Sequence, residues 1–593
     1  MTAPPKGVAG GGMTWGELAL LGRTAVHLRP AQVVHRARLQ AQRTALNQWP
    51  QAGRRVLAAG LDRAAGPGWP AQFTPLDGTA LTATAPPHWP DLAMLAAGRI
   101  QLLGWTRSIE TPPGAGGGDP RAADWRQADA PALWRFHLHY WDWAWGLATA
   151  PDRAAARQVF ARLWRSWQRS CPFGQGEAWL PNPAALRAWS WCGLHRDLVA
   201  GTAIDAAFRQ ELAVHAGFLR RHLETDVGGN HLVKDLKALA GLGVFLGDQS
   251  LLDRALRLLT AQLPVQVLPD GGHYERAPAY HCQVLADLID LAGLLSAAGH
   301  APVPALTRAI ARMRRWLGRV LGPDGALPLL NDGYQVPGPL LAALRPLPPP
   351  LAPLTVLADT GLVRASAGDW HLLADVGQPG PDELPAHAHA DTLGCLLHVA
   401  GVPLLADTAT STYAAGRVRD YERSTAAHNT LEIDGTDSTE VWGAFRAGRR
   451  ARVLGRAASV ADGQVIAAAA HDGYRRLTGR PVHRRTWTLT AAGLEVRDRV
   501  TGGGRHGLAV RWHLDPAASV RADRDGAWVS TAAGRFRMTV SDSHLLRIYL
   551  EEAPVATGFQ RTVDAPVLAC RLETALPAVI STRWRRADTT SSR

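Results

Sequence analysis

The sequence predicts an α+β multidomain fold, with a helical part followed by an antiparallel β-sandwich. Three observations predict it: the length, a change of apolar periodicity near residue 335, and a proline-rich stretch where the change occurs. At 593 residues the chain exceeds what one hydrophobic core ordinarily supports. Up to about residue 335, apolar residues recur at helical spacing, as in Ala154–Trp167, Ala203–His222, Leu236–Leu246, Leu251–Leu263 and Val284–Ala297. Short Gly- or Pro-containing joints separate these runs, the texture of stacked helical hairpins or of an irregular bundle. The prolines of Pro337–Pro353 cannot sustain a long helix and mark the linker. Beyond it stand strand-length segments: Gly361–Ala365, Trp370–Asp375, Leu393–Val399, Asn429–Ile433, Arg484–Leu489 and Leu494–Val500. Helices then strands imply separate units, the second a sandwich of antiparallel sheets. The expected division is a helical N-terminal extension over residues 1–100, a helical domain over 101–350 and a strand domain over 351–593.

Composition narrows the partners. A formal net charge of +13 suits a polyanion, although three lysines against an abundance of arginine fits the codon usage of a GC-rich genome equally well. The five cysteines (Cys171, Cys192, Cys282, Cys395, Cys570) are scattered and form no CxxC pair, so neither a disulfide framework nor a cysteine metal site is expected. The apolar run Leu18–Val26 is short and broken by Gly22 and Arg23, so no signal peptide and no membrane span are expected; Met13 is a second candidate start. No nucleic-acid motif is present, and the compartment is left open.

Three segments concentrate polar residues. Gly228-Gly229-Asn230-His231-Leu232-Val233-Lys234-Asp235 leads into a helix that carries His231, Lys234 and Asp235 on one face. An N-cap role for Asn230 and plain solvation of the others compete with a functional reading. Asp270–His281 holds two of the eight tyrosines, Tyr274 and Tyr280, beside His273 and His281. A turn at Asp270-Gly271-Gly272 and a helix from about Pro278 place Tyr280 and His281 in a first turn, and simple aromatic packing is the alternative. In Pro385-Ala386-His387-Ala388-His389-Ala390-Asp391, a strand would turn His387, His389 and Asp391 to one side. With Asp407 and His428 these are nitrogen and oxygen donors of the kind Zn²⁺ takes, or a polar inner surface of mutually bonded side chains.

In this order the segments resemble the heparinase II/III family of polysaccharide lyases. The resemblance runs on through Ala358-Asp359-Thr360-Gly361, Val402–Asp407, Arg419-Asp420-Tyr421-Glu422-Arg423-Ser424-Thr425-Ala426-Ala427-His428-Asn429-Thr430, Asp434-Gly435 and Trp442-Gly443-Ala444-Phe445. More loosely it takes in Trp134–Tyr140 and the two helical-half segments. The first hundred residues are similar to the N-terminal region of heparinase-like proteins associated with bacterial exopolysaccharide production. The resemblance implies an incomplete (α/α) toroid followed by a β-sandwich, with a substrate groove between them. It implies β-elimination at a uronic acid, in which the carboxylate is neutralised, the C5 proton removed and the leaving oxygen protonated. Matching motifs makes Tyr280 the acid and a candidate base, and His387 the partner base or stabiliser. Asn230 and His231 would face the carboxylate. His389, Asp407 and His428 match a structural Zn²⁺ site. Lys234, where many relatives carry an acidic or other polar residue, would meet a uronate or sulfate, or only a nearby carboxylate. Arg187, Tyr274 and Glu275 are further expected substrate contacts. The expected partner is an acidic polysaccharide (heparin-like, alginate-like or a bacterial exopolysaccharide), and oligomeric state is left open. Two alternatives stand beside the lyase: a non-catalytic accessory protein of exopolysaccharide production, and a glycoside hydrolase using Asp270 and Glu275.

Overall fold

The computed structural model describes residues 15–58, 66–76, 89–110, 123–349, 351–541 and 546–587. Its order is helices, then strands, and the change falls where the apolar periodicity changes. The expected helices are present: Arg153–Ser170, Gly229–Leu246, Gln249–Gln266 and Pro278–Ala297 are slightly longer than their apolar runs, whereas Asp205–Leu219 is shorter than the expected Ala203–His222. The extra residues are caps and polar first turns, such as Asp152 and Asp248, whose carboxylates accept from Ala155 and Leu251 N–H.

Helix Gly229–Leu246 lies at the centre of the helical part. It packs on Pro181–Leu194, Gln249–Gln266 and Pro278–Ala297, and nearly all its residues are buried. Around it the tryptophans form one aromatic core: the Trp125 and Trp141 rings stack at 5.7 Å, and Trp141 and Trp167 meet Trp191 edge-on at 5.4 and 5.3 Å. A short hairpin, Arg99–Leu102 with Trp105–Ser108, interrupts the helices; its strands are too short for a period to show in sequence. The proline-rich linker is not wholly extended. Residues Gly338–Ala343 make a helix with Pro339 in its first turn, and Leu341 and Leu344 are buried in the helical core.

The strands make three larger antiparallel sheets. The first is five-stranded, Leu354–Leu357, Leu362–Ala367, Trp370–Asp375, Cys395–Val399 and Val402–Leu405 in chain order. The second, four-stranded, runs Arg547–Gly558, Arg561–Ala575, Arg505–His513 and Leu431–Ile433. The third runs Val453–Ala461, Gln464–His471, Val482–Thr490, Gly493–Thr501, Ala578–Arg586, Gly534–Ser541, Gly526–Thr531 and Ser519–Asp523. Alternating residues from all three, among them Leu372, Trp487, Trp512 and Trp584, share one apolar core.

Two sets of polar contacts away from the polar segments help to join the halves. Asp270, from the turn before helix Pro278–Ala297, accepts from the N–H groups of Asp359 and Thr360 at 3.0 and 2.7 Å. The N-terminal helices form the other: the Gln32 amide donates to the carbonyls of Asp226 and Glu383, Arg29 pairs with Glu383, and Trp442 donates to Thr24 Oγ1.

Candidate active site

Three elements bring the polar segments together. Helix Pro278–Ala297 begins with Pro278, which fixes the backbone for a first turn and presents Tyr280. Helix Gly229–Leu246 begins at Gly229, whose φ is +57°. A Cβ there would stand 2.2 Å from Glu275 Oε1, so only glycine lets this helix end approach the carboxylate. The third element is the segment around His387. It is a succession of turns rather than the expected strand. His387 and His389 nonetheless converge, because both reach Asp332.

His387 stacks on the Tyr280 ring, centroids 3.7 Å apart. Its Nδ1 meets Asp332 Oδ2 at 2.8 Å and its Nε2 meets Glu275 Oε2 at 3.1 Å. Burial disfavours the imidazolium, but the hydrogen bonds and charges of Asp332 and Glu275 outweigh it and raise the pKa to about 9. At neutral pH His387 is a cation donating from both nitrogens. Burial would likewise raise Glu275; its bond to His387 and neighbouring charges bring it down to about 2. Asn230 completes this cluster, donating from its backbone to Glu275 Oε1 at 2.7 Å and from its amide to Oε2 at 3.1 Å.

Asp332 is fully buried and accepts from four side chains. Besides His387 these are His389 Nε2 at 2.9 Å, Arg419, whose Nη2 lies at 2.9 Å, and Thr410 Oγ1 at 3.3 Å. Burial would raise its pKa, yet Arg419 and the two histidines hold it well below the carboxylate range. Asn331 shapes this turn in the left-handed region at φ +55°; its carbonyl oxygen accepts from His389 N–H and its amide donates to the Arg276 carbonyl.

The Tyr280 hydroxyl lies 2.9 Å from that of Tyr413. Burial, then Tyr413 and Asp332, push its pKa far above 10, so it is a neutral phenol at rest. The Tyr413 ring sits under the Arg419 guanidinium at 5.1 Å. His231 is more open: its side chain is 39% exposed, its Nδ1 sits 3.1 Å from Glu224 Oε2, and its Nε2 has no partner among the described residues.

Asp332, Tyr413 and Arg419 were not among the expected site residues. Asn331-Asp332-Gly333 reads locally as a turn, and Tyr413 sits in an unpatterned Thr/Ser/Ala run. Only Arg419 lay within a motif that sequence singled out.

Four expected substrate contacts are placed otherwise. Arg187 is fully buried, donating to the His139 and Ala178 carbonyls with its guanidinium 4.4 Å over Trp167; it braces the aromatic core. Lys234 pairs with Asp287 at 2.7 Å, so its charge is already neutralised. Glu275 is buried and committed to Asn230 and His387. Tyr274 packs edge-on against His273 at 5.3 Å, and burial raises its pKa.

The expected zinc ligands lie near one another. His389 and His428 rings are 5.3 Å apart, and Asp407 accepts from His428 Nδ1 at 3.0 Å. As they stand, no group of three or more His, Cys, Asp or Glu side chains among the described residues has metal-ligand spacing. Yet among the described residues His389 Nδ1, His428 Nε2 and both carboxylate oxygens of Asp391 are buried without partners, an unmet nitrogen and oxygen set of the kind zinc takes.

Comparison with known proteins gives a consistent result. Residues 120–343 match the family described as heparinase II/III N-terminus, and residues 349–565 match heparinase II/III-like, C-terminal. The FtsZ-localized protein C of Caulobacter vibrioides (strain NA1000 / CB15N) is 30% identical over 420 residues, covering 66% of this chain and 70% of that protein. A crystal structure of heparinase III superposes with TM-score 0.71 at 14% identity, over 91% of this chain and 86% of the other. A mutant of the heparan sulfate lyase HepC from Pedobacter heparinus gives TM-score 0.62 at 16% identity, over 92% and 90%.

If Arg187 is a core brace, Arg187→Ala lowers stability by about 2–4 kcal/mol, because it strips a buried cation from two carbonyls and three indole faces. Chemical denaturation measures that loss. A raised KM for polysaccharide with unchanged stability is the result that returns Arg187 to the substrate.

Proposed function

The chain belongs to the heparinase II/III-like family, and from that premise we propose that it is a polysaccharide lyase cleaving a uronic-acid polymer by β-elimination, on an incomplete (α/α) toroid joined to a β-sandwich. The observation that carries this reading is the neutral Tyr280 phenol stacked on a His387 imidazolium that two carboxylates hold charged. A phenol beside a fixed cation suits elimination. The cation stabilises negative charge that develops as the C5 proton leaves, and the phenol protonates the departing glycosidic oxygen.

In this reading Asn230 and His387, held in place by Glu275, face the uronate. His387 serves as the cation and not as the base, since both its nitrogens already carry protons. His231 takes the C5 proton: Glu224 fixes its Nδ1–H and leaves Nε2 as the acceptor, the logic by which a carboxylate orients a histidine base. A hydrolase would use a free pair of carboxylates. Asp270 is tied to the Asp359-Thr360 backbone and Glu275 to His387 and Asn230, so neither candidate is available.

We also propose that His389, His428 and Asp407, with Asp391 alongside, hold a structural Zn²⁺. When bound, the ion supplies a fixed crosslink between the His387–Asp391 turns and the segments bearing Asp407 and His428. The domain division proposed with it is an N-terminal extension to residue 100, the toroid to 350 and the sandwich beyond.

Incubation with heparin, heparan sulfate, hyaluronan and alginate should produce an ultraviolet-absorbing unsaturated uronate from at least one of them. Tyr280→Phe should lower that rate by about 10²–10⁴-fold while the protein stays folded. Reducing ends released without the chromophore would replace elimination with hydrolysis. On the active polymer, kcat/KM should fall as pH rises through about 9, where the His387 cation is lost. Asp332→Asn removes a charge that favours the imidazolium, so this alkaline limb moves to lower pH; an unmoved limb means that another group sets it. Metal analysis of protein purified without chelator should find about one zinc per chain, and His428→Ala should lose it together with thermal stability. Zinc-free protein whose melting is indifferent to added zinc would remove the metal from this account.

A further inference from the structure

The eight-stranded sheet has two unlike faces. Inward residues such as Trp487, Val496, Met538 and Trp584 are fully buried in the strand core. The alternating outward positions carry a band of arginines across four consecutive strands. On this band the register sets like charges directly opposite each other: Arg484 faces Arg499, and Arg537 faces Arg585. Opposed side chains on adjacent antiparallel strands are about 5 Å apart, where equal charges destabilise the pair. A carboxylate relieves the second of these pairs in part, through Arg537, and among the described residues none relieves Arg484 and Arg499. Glu495 already pairs with Arg583 at 3.0 Å, and Asp523 with Arg537 at 2.5 Å. Among the described residues Arg484, Arg497, Arg499 and Arg585 have no carboxylate within 4.0 Å, and all four are exposed. Selection for sheet stability alone would not align them so.

We propose that this outer face is a second binding surface, away from Tyr280 and His387, for an extended acidic polysaccharide. Guanidinium groups bind carboxylate and sulfate through paired N–H donors, and a bound polyanion converts each opposed pair from repulsion into a shared contact. Strands about 4.8 Å apart present these forks at regular intervals, as a repeating polymer requires. Between the arginines stand Thr486, Thr488 and Thr539, hydroxyls that can bond sugar hydroxyls. Trp528, at the end of the band with Arg537 5.1 Å over its ring, adds an aromatic platform. Membrane attachment needs a set of apolar side chains to bury beside the cations, and here Val579, opposite Arg499, stands among hydroxyl-bearing threonines. Reading of duplex DNA needs an element that enters a groove, and this face is a flat sheet. The choice of ligand rests on the lyase reading, but binding is measured without turnover, so the two fail separately.

The test uses the full chain as Tyr280→Phe and measures the affinity of fluorescein-labelled heparin and alginate oligosaccharides by anisotropy. A DNA duplex and phosphatidylglycerol vesicles are run in parallel. The triple substitution Arg484→Thr, Arg499→Thr, Arg585→Thr introduces a strand-favouring residue already present on this face. It should weaken binding of at least one oligosaccharide about tenfold or more. The same polymer should raise the melting temperature of the parent more than that of the triple variant, which keeps the Tyr280 site. A charge-matched control on the helical half, Arg221→Gln, Arg254→Gln, Arg257→Gln, should change affinity by less than about twofold. Equal weakening in both triples reduces the effect to net charge and overturns the proposal, as does unchanged affinity in the sheet triple. Tighter binding of DNA or vesicles through the same three arginines also overturns it, in favour of that partner. The corresponding triple Arg→Lys variant keeps charge and fold but loses the paired donors, and oligosaccharide affinity unchanged in it again counts against the proposal.

Discussion

The buried carboxylate of Asp332 is the constraint on which the rest of the site depends. A carboxylate out of water is costly unless its oxygens are filled by charged donors, and here Arg419 and two histidines fill them. Each donor comes from a different place: His387 and His389 from the turns before the strand Cys395–Val399, Arg419 from the short helix Arg417–Arg423, and Asp332 itself from the segment after helix Pro304–Val320. Satisfying one charge therefore fixes where three segments meet. It also fixes the protonation of His387, whose second nitrogen has only Glu275 to face. The stack on Tyr280 and the seating of Asn230 follow from that orientation.

The same logic explains why the site tolerates so many buried polar groups. Glu275, Asp332, His387 and Asn230 form a closed set in which donors meet acceptors. Further along, Lys234 and Lys237 neutralise Asp287, and Arg187 supports the tryptophan core. The cations that looked from sequence like contacts for an anionic polymer turn out to satisfy the protein's own interior.

Sequence showed much of the fold because its elements rest on local periodicity. Apart from Ala203–His222, which overruns the helix Asp205–Leu219 at both ends, the amphipathic runs from Ala154 to Ala297 and the alternating strands near Arg484–Val500 lie within the observed elements. It missed the Arg99–Ser108 hairpin and the Gly338–Ala343 helix, which are too short to repeat a pattern. It placed the His387–Asp391 box on a strand because alternate spacing looks the same in a strand and in a run of turns. At the site, Tyr280, His387, Asn230 and His231 stood out through unusual residue types in short motifs. Asp332 and Tyr413 did not, because their importance comes from chain segments brought together in three dimensions. Arg187 and Lys234 were misplaced because a sequence gives a charge without the partner that neutralises it.

The N-terminal helices carry a mechanical consequence. Gln32 reaches carbonyls on both sides: Asp226, just before the Asn230 helix, and Glu383, just before the His387 turns. Thr24 and Arg23 hold the strand half again at Ala447, Trp442 and Glu440. A rotation that pulls His387 away from Glu275 must tear this clasp as well as the Asp270 latch. The two halves of the site are thereby kept in register by a brace outside them, and the helices Trp15–Ala25 and Pro30–Gln48 act as a stiffener for the site rather than as an appendage.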